Sequence, residues 1–238
     1  MLINGLRPHF PGLVVIEEPS ESKEVLLNRR VKHCGWVNAL GQMATMALSK
    51  FGKSLVTKRL SEIAASNGLS PEPDATIPHH AVPDINSPEC LAMLEQLKPA
   101  AILTVSCRLL RKATLSAIPC PVINMHSAMN PKYRGQMGGY WALVNGDTAN
   151  FGATVHLVDQ GVDTGAVLYQ VHALPEKGDS MLTYPALLTA ASLPITRRAL
   201  DDALAGTLRP VATSGPSVLR FNVPIWMWIY NGLTKGIW

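Results

Sequence analysis

Five short apolar runs recur along this chain, each closed by proline, glycine or a polar turn, with helical patterns between them. They are Leu13–Ile16, Ala100–Val105, Pro121–Met125, Ala153–Val158 and Ala166–Val171. Runs this short, and this rich in β-branched residues, read as buried strands. Between them Cys90–Leu97, Gly138–Val144 and Tyr184–Leu204 carry helical spacing. Strands alternating with helices point to an α/β fold, a mostly parallel open sheet flanked by helices, with sites outside the strand C-termini. At 238 residues the chain suits one large domain with appendages. Its 47% hydrophobic and 16% charged content excludes a disordered chain or a coiled coil.

Two regions differ in character. Residues 21–67 are helical in propensity, with Arg29, Arg30, Lys32, Lys50, Lys53 and Lys58 flanking an apolar middle that includes Trp36, Leu40 and Phe51. They read as a basic helical insertion. Trp226, Trp228, Tyr230 and Trp238 crowd the last residues. The expected organisation is a domain over 1–210, with the insertion at about 21–67, and an aromatic-rich tail over 211–238. Insertion and tail together suggest weak membrane-surface association, although packing of the aromatics against the domain is the preferred reading. A net charge of +4 does not indicate a nucleic-acid partner. The opening is no signal peptide, and the charge-free stretch 33–49 is too short to span a bilayer. The four cysteines form no C-x-x-C pair and fit a reducing compartment. The chain reads as soluble and cytoplasmic.

Three motif-like fragments carry no chemistry. Gly52-Lys53-Ser54 lacks the glycine a phosphate loop needs five residues earlier, where Ala47 stands, and reads as a basic helix end. His79-His80 lies in a proline-rich stretch with no partner at ligand spacing, so it reads as a surface loop, and no metal site is expected. Ser20-x-x-Lys23 lacks the supporting motifs of acyl-transfer enzymes and reads as a helix N-terminus.

The stretch Ile123-Asn-Met-His126 is different. Asn124 and His126 are two apart at a strand end, so they leave the same face where an apolar strand opens into a loop. A second polar cluster, Val158-Asp-Gln-Gly-Val-Asp-Thr-Gly165, also follows a strand and sets Asp163 in a glycine-bounded turn. An amide, an imidazole and a carboxylate on neighbouring strand ends form a donor, an acid/base and a group that orients it.

Asn124-x-His126, a proline five residues on, Lys132-Tyr-Arg-Gly135, Asn145-Gly-Asp147 and Asp163-Thr-Gly165 together resemble the folate-dependent formyltransferases. Cys107-Arg-Leu-Leu110 resembles the strand end that lines the family's pterin pocket, and the likeness spans roughly Ala100 to Gln170. The resemblance implies a Rossmann-like formyltransferase fold, 10-formyltetrahydrofolate as cosubstrate, no metal, and a primary amine as acceptor. It implies that Asn124 and a protonated His126 donate to the oxyanion, with Asp163 keeping His126 charged. It also implies that Arg108, Leu109, Leu110, Asp159, Gly161 and Val162 bind the pterin, largely through backbone groups.

Three departures accompany it. Ser127-Ala-Met-Asn130 replaces the family's Pro-Ser-Leu-Leu, and the segment 150–153 reads as one residue longer. The family opens with a strand and a glycine turn, whereas this chain begins at what reads as the helix after them. The usual first strand is therefore expected to be missing, leaving two sheet edges. Without that turn, and without the β-barrel domain of the tRNA enzymes, the expected acceptor is an amino sugar nucleotide or another small biosynthetic amine. Phosphoribosylglycinamide is the alternative acceptor. A non-catalytic folate-binding relative and a formyltetrahydrofolate hydrolase are the alternatives in function.

Overall fold

The structure is a computed structural model that describes residues 1–238. In chain order its elements are α1 (Leu2–Leu6), β1 (Val15–Glu17), α2 (Lys23–Gly52), α3 (Thr57–Ser66), β2 (His79–Ala81) and α4 (Pro88–Leu97). Then follow β3 (Ile102–Thr104), α5 (Lys112–Ala117), β4 (Val122–His126), β5 (Tyr133–Gly135), α6 (Gly138–Val144) and β6 (Gly152–Leu157). The last are β7 (Val167–His172), α7 (Tyr184–Ala205), β8 (Val218–Arg220) and α8 (Ile225–Lys235).

The α/β class stands. The strands form a four-stranded sheet in the order β3-β4-β6-β7 and two separate pairs, β1-β2 and β5-β8. Three of the five pairings are parallel, in keeping with the expected bias. The main sheet nevertheless turns antiparallel from β4 onward, through β4-β6 and β6-β7. Only nine residues, 158–166, join β6 to β7, too few for the crossover that a parallel pair requires. No ladder joins β1 to β3.

His79-His80 is a strand rather than the surface loop expected, because its backbone pairs with Val15-Ile16. The tail also holds structure that its composition did not announce: β8 pairs with Tyr133–Gly135, and α8 touches α2.

Local chemistry sets the helix ends. Ser22 accepts from the Val25 amide at 3.2 Å to open α2, and Ser87 caps α4 in the same way through Cys90, with Pro88 in the first turn. Gly35, at φ 76°, breaks α2 into two straight pieces. Gly206, at φ 67°, ends α7 in the left-handed conformation.

One core joins α1, α7 and one face of the main sheet through Leu6, Ile123, Met125, Val155 and Ala199. A second joins α6, α7 and the start of β6 through Tyr140, Phe151, Tyr184 and Leu188, with Trp228 of α8 against it. Burying each large apolar side chain contributes about 1.5–3 kcal/mol, so these clusters hold β4 and β6 firmly from one side.

Candidate active site

In β4 Ile123 and Met125 are buried on one face while Asn124 and His126 on the other are half-buried, in keeping with the two-residue side-chain period, and only Val122 at the start of that second face is buried as well. Strand register then aligns Thr104, Asn124 and His156 in one row across β3, β4 and β6, with His126 beside Thr154 in the next. This face opens onto a cavity of about 560 Å³. All nine residues singled out from the sequence line it: Asn124, His126 and Asp163, Arg108, Leu109 and Leu110, and Asp159, Gly161 and Val162.

Asp163 enters from the β6–β7 turn. Its φ of 52° is left-handed, a conformation aspartate tolerates better than most residues. The turn is pinned from outside: Asn130 Nδ2 donates to the Asp163 carbonyl at 3.1 Å and Arg134 Nη1 to that of Val162 at 2.8 Å. At Gly165 any side chain would collide with the Leu157 carbonyl. Ser106 and Met137, which also line the cavity, have positive φ as well. Such backbone strain gathers where a site is held against its local preference.

The carboxylate lies between two histidines. Oδ2 accepts from the Gly135 amide at 2.9 Å and stands 3.6 Å from His126 Nε2. Oδ1 accepts from Asn124 Nδ2 at 3.3 Å and stands 3.5 Å from His156 Nε2. Asn124 is oriented by its neighbours in the row. Thr104 Oγ1 donates to its Oδ1 at 3.0 Å, and its Nδ2 donates to His156 Nε2 at 3.1 Å. That ring is itself fixed, because Nδ1 can only donate to the Leu157 carbonyl at 2.7 Å.

His126 Nε2 donates to the Tyr133 carbonyl at 3.2 Å, and Nδ1 has no protein partner. Burial pushes this imidazole down, and it outweighs the opposing pull of Asp163 and the Tyr133 carbonyl. Burial thus favours the neutral ring over the protonated one that the resemblance implies, with Nδ1 free to present a lone pair. For Asp163 burial acts the other way, but His156, His126 and the Gly135 amide overcome it and hold the carboxyl below its ordinary range. It is ionised.

The opposite wall is the loop after β3. The amides of Val105, Ser106, Cys107, Leu109 and Leu110 make no hydrogen bond within the protein. Free amides around a cavity suit the edge of a polar heterocycle. Arg108 differs from its expected part. Its amide donates to Glu18 at 2.8 Å, and its guanidinium reaches Glu18 at 2.6 Å and the Pro19 carbonyl at 2.7 Å. It anchors the loop while the residue also lines the cavity.

His156, Thr104 and Glu18 were missed by sequence reasoning. A signal existed for the first: Thr154 and His156 share one face of an otherwise apolar strand. Glu18 gave none, since only the fold brings it to residue 108.

The formyl transferase family model matches residues 69–186, which hold every one of the nine lining residues named above. Residues 69–186 form a formyl transferase domain. The match includes the methionyl-tRNA formyltransferase of Trichlorobacter lovleyi, 33% identical over 118 residues, covering 49% of this chain and 34% of that protein. The chain spans about a third of the length of the curated relatives it matches. Among solved structures, a sugar N-formyltransferase from a Shewanella species superposes with a TM-score of 0.52 at 16% identity, covering 73% of this chain and 72% of that one. The formyltransferase PseJ of Anoxybacillus kamchatkensis, crystallised with UDP-4,6-dideoxy-4-formamido-L-AltNAc and tetrahydrofolate, gives 0.51 at 18%, covering 61% and 75%. These two show the shared formyl transferase fold.

Proposed function

We propose that this formyl transferase passes a formyl group from 10-formyltetrahydrofolate to the primary amine of a small acceptor. The convergence of Asn124, His126 and Asp163 on one cavity, with Asp163 within 3.6 Å of both partners, carries the reading. The cosubstrate would supply an activated formyl carbon. The loop 105–110, with its free amides, and the turn 159–162 would hold its pterin.

The remaining chemistry belongs to the side chains. Asn124 Nδ2 gives up its long bond to Asp163 and donates to the oxygen on which negative charge develops. His126 receives the proton shed by the attacking amine on its unpartnered Nδ1 and returns it to the departing donor nitrogen as the bond between that nitrogen and the formyl carbon breaks, releasing tetrahydrofolate. Asp163, ionised 3.6 Å from Nε2, stabilises the imidazolium as it forms. His156 and Thr104 hold the Asn124 amide in plane for this task. An amino sugar nucleotide is the acceptor we favour, in line with the UDP-linked formamido sugar bound to PseJ.

The test is tetrahydrofolate release from 10-formyltetrahydrofolate across a panel of amines. Amine-dependent release supports the transferase. Release without any amine replaces it with a hydrolase, and donor binding without release replaces it with a binding protein. Asn124→Ala is expected to lower kcat by about 10²–10³-fold, the usual loss for one oxyanion donor. A loss below fivefold would remove Asn124 from the mechanism.

The pH profile follows from the sign of the His126 shift. A base must be unprotonated, and burial lowers its pKa, so the acid limb of kcat is expected below the ordinary imidazole value of 6.5. An acid limb above that value would restore the charged histidine.

A further inference from the structure

Two helices of this protein are folded inside out. In the second piece of α2 the exposed large apolar side chains are Trp36, Val37, Leu40, Leu48 and Phe51, whereas the buried residues are Ala39, Gly41, Gln42 and Thr45. At the helical repeat those five apolar residues fall within an arc of about 120°. Phe51 is 80% exposed, and Leu55 just beyond it 86%. In α8 the pattern repeats: Trp226, Ile229, Tyr230 and Leu233 point outward while Asn231 and Gly232 are buried. The two helices touch, with Trp226 lying across Gly41. The aromatics of the tail therefore do not all pack against the domain, the reading preferred from sequence. Trp228 and Trp238 do, ring against ring, and the rest of the stripe stays bare.

Charge identifies what covers it. Residues 25–61 hold seven Lys and Arg and no Asp or Glu, and residues 203–238 hold three and none. All 17 acidic residues lie elsewhere, with the other eleven basic ones. A chain of net charge +4 thus carries +10 on the segments that bear the apolar stripe and −6 on the remainder. No helix is long and apolar enough to cross a membrane. Arg29 is paired with Glu21 and Arg59 with Asp179, which leaves outward Trp, Tyr, Phe and Leu flanked by the unpaired Lys32, Lys50 and Lys53, a match for a surface that lies in the interface of an anionic bilayer.

We propose that the α2–α8 face seats this protein on an anionic membrane surface. The face is tied to the cavity through α8, where Asn231 Nδ2 donates to the hydroxyl of Tyr140, a cavity residue, at 3.0 Å.

The test is co-sedimentation of the full chain with phosphatidylglycerol–phosphatidylcholine vesicles and with phosphatidylcholine alone. The anionic vesicles are expected to bind at least about tenfold more tightly, and less so at high salt. Leu40→Glu/Phe51→Glu, both sites exposed, is expected to lose at least about tenfold in partition while keeping the wild-type circular dichroism. Lys50→Glu/Lys53→Glu, which leaves the stripe intact, is expected to weaken binding to the anionic vesicles only. A wild-type chain that stays in the supernatant at low salt overturns the proposal. So does a dimer in ultracentrifugation that Leu40→Glu/Phe51→Glu abolishes without any vesicle binding, because a second copy would then own the face.

Discussion

Asp163→Asn is expected to lower kcat by about 10³-fold or more while leaving the fold and the donor's KM nearly unchanged. The substitution keeps size and shape, so the side-chain oxygen can still accept from the Gly135 amide and the turn 159–163 keeps its outer ties to Asn130 and Arg134. What disappears is the charge. In the proposed reaction a neutral His126 acquires a proton, so a carboxylate 3.6 Å from its Nε2 favours the reacting state over the resting one. Asp163 also pulls the His126 pKa upward against burial. Its loss therefore moves the acid limb of the pH profile lower still, and raising the pH does not rescue the rate. Steady-state tetrahydrofolate release, measured from pH 5 to 9, checks both parts. A variant within tenfold of wild type would remove the carboxylate from the reaction.

The largest stability effect is expected far from the cavity, at Arg59. Its guanidinium grips Asp179 with two parallel bonds of 2.9 and 3.0 Å, and the Asp179 carboxylate is wholly enclosed. This pair joins α3 to the turn that precedes α7. Burial raises the Asp179 pKa, but Arg59, the Glu176 amide and Thr183 prevail and hold it below the ordinary 3.8. A depressed carboxylate contributes stability above its unfolded pKa that is lost as pH falls through the folded value. Arg59→Ala strands that charge, at a cost of about 3 kcal/mol at pH 7 by urea unfolding. The penalty should shrink toward pH 4, because the unpaired buried carboxyl then takes up a proton. Arg59→Ala/Asp179→Asn should recover most of the loss. A penalty independent of pH would mean that packing, not charge, accounts for it.

The elements that read clearly from sequence were those whose signal is local. The apolar runs of β3, β4, β6 and β7 and the helical spacing of α6 and α7 are each complete within one continuous segment, and their bounds fall within two residues of expectation. Asn124 and His126 were legible because strand parity puts them on one face, and Asp163 because glycines bound its turn. The rest depended on long-range events. His79–Ala81 is polar and proline-flanked and becomes a strand only by pairing with β1. The downward shift of the His126 pKa follows from burial, which no spacing of residues reports. The apolar middle of residues 21–67 and the aromatic crowding of the tail were visible, but neither says which side chains turn inward.

Glu18 has a consequence of another kind. One oxygen of this carboxylate accepts from the Arg108 amide and the other from the Arg108 guanidinium and the Ile85 amide. With no ladder between β1 and β3, the β1-β2 pair can open without breaking one backbone bond of the sheet that holds Asn124 and His126. Its loosening would release the loop 105–110 while the catalytic strand stayed folded. The β1-β2 pair thus meets that loop through Glu18 and, just past β2, through Asn86, which bonds Leu109 and Arg111, and the donor, by lining up against the loop, would draw its affinity partly from clasping the two together.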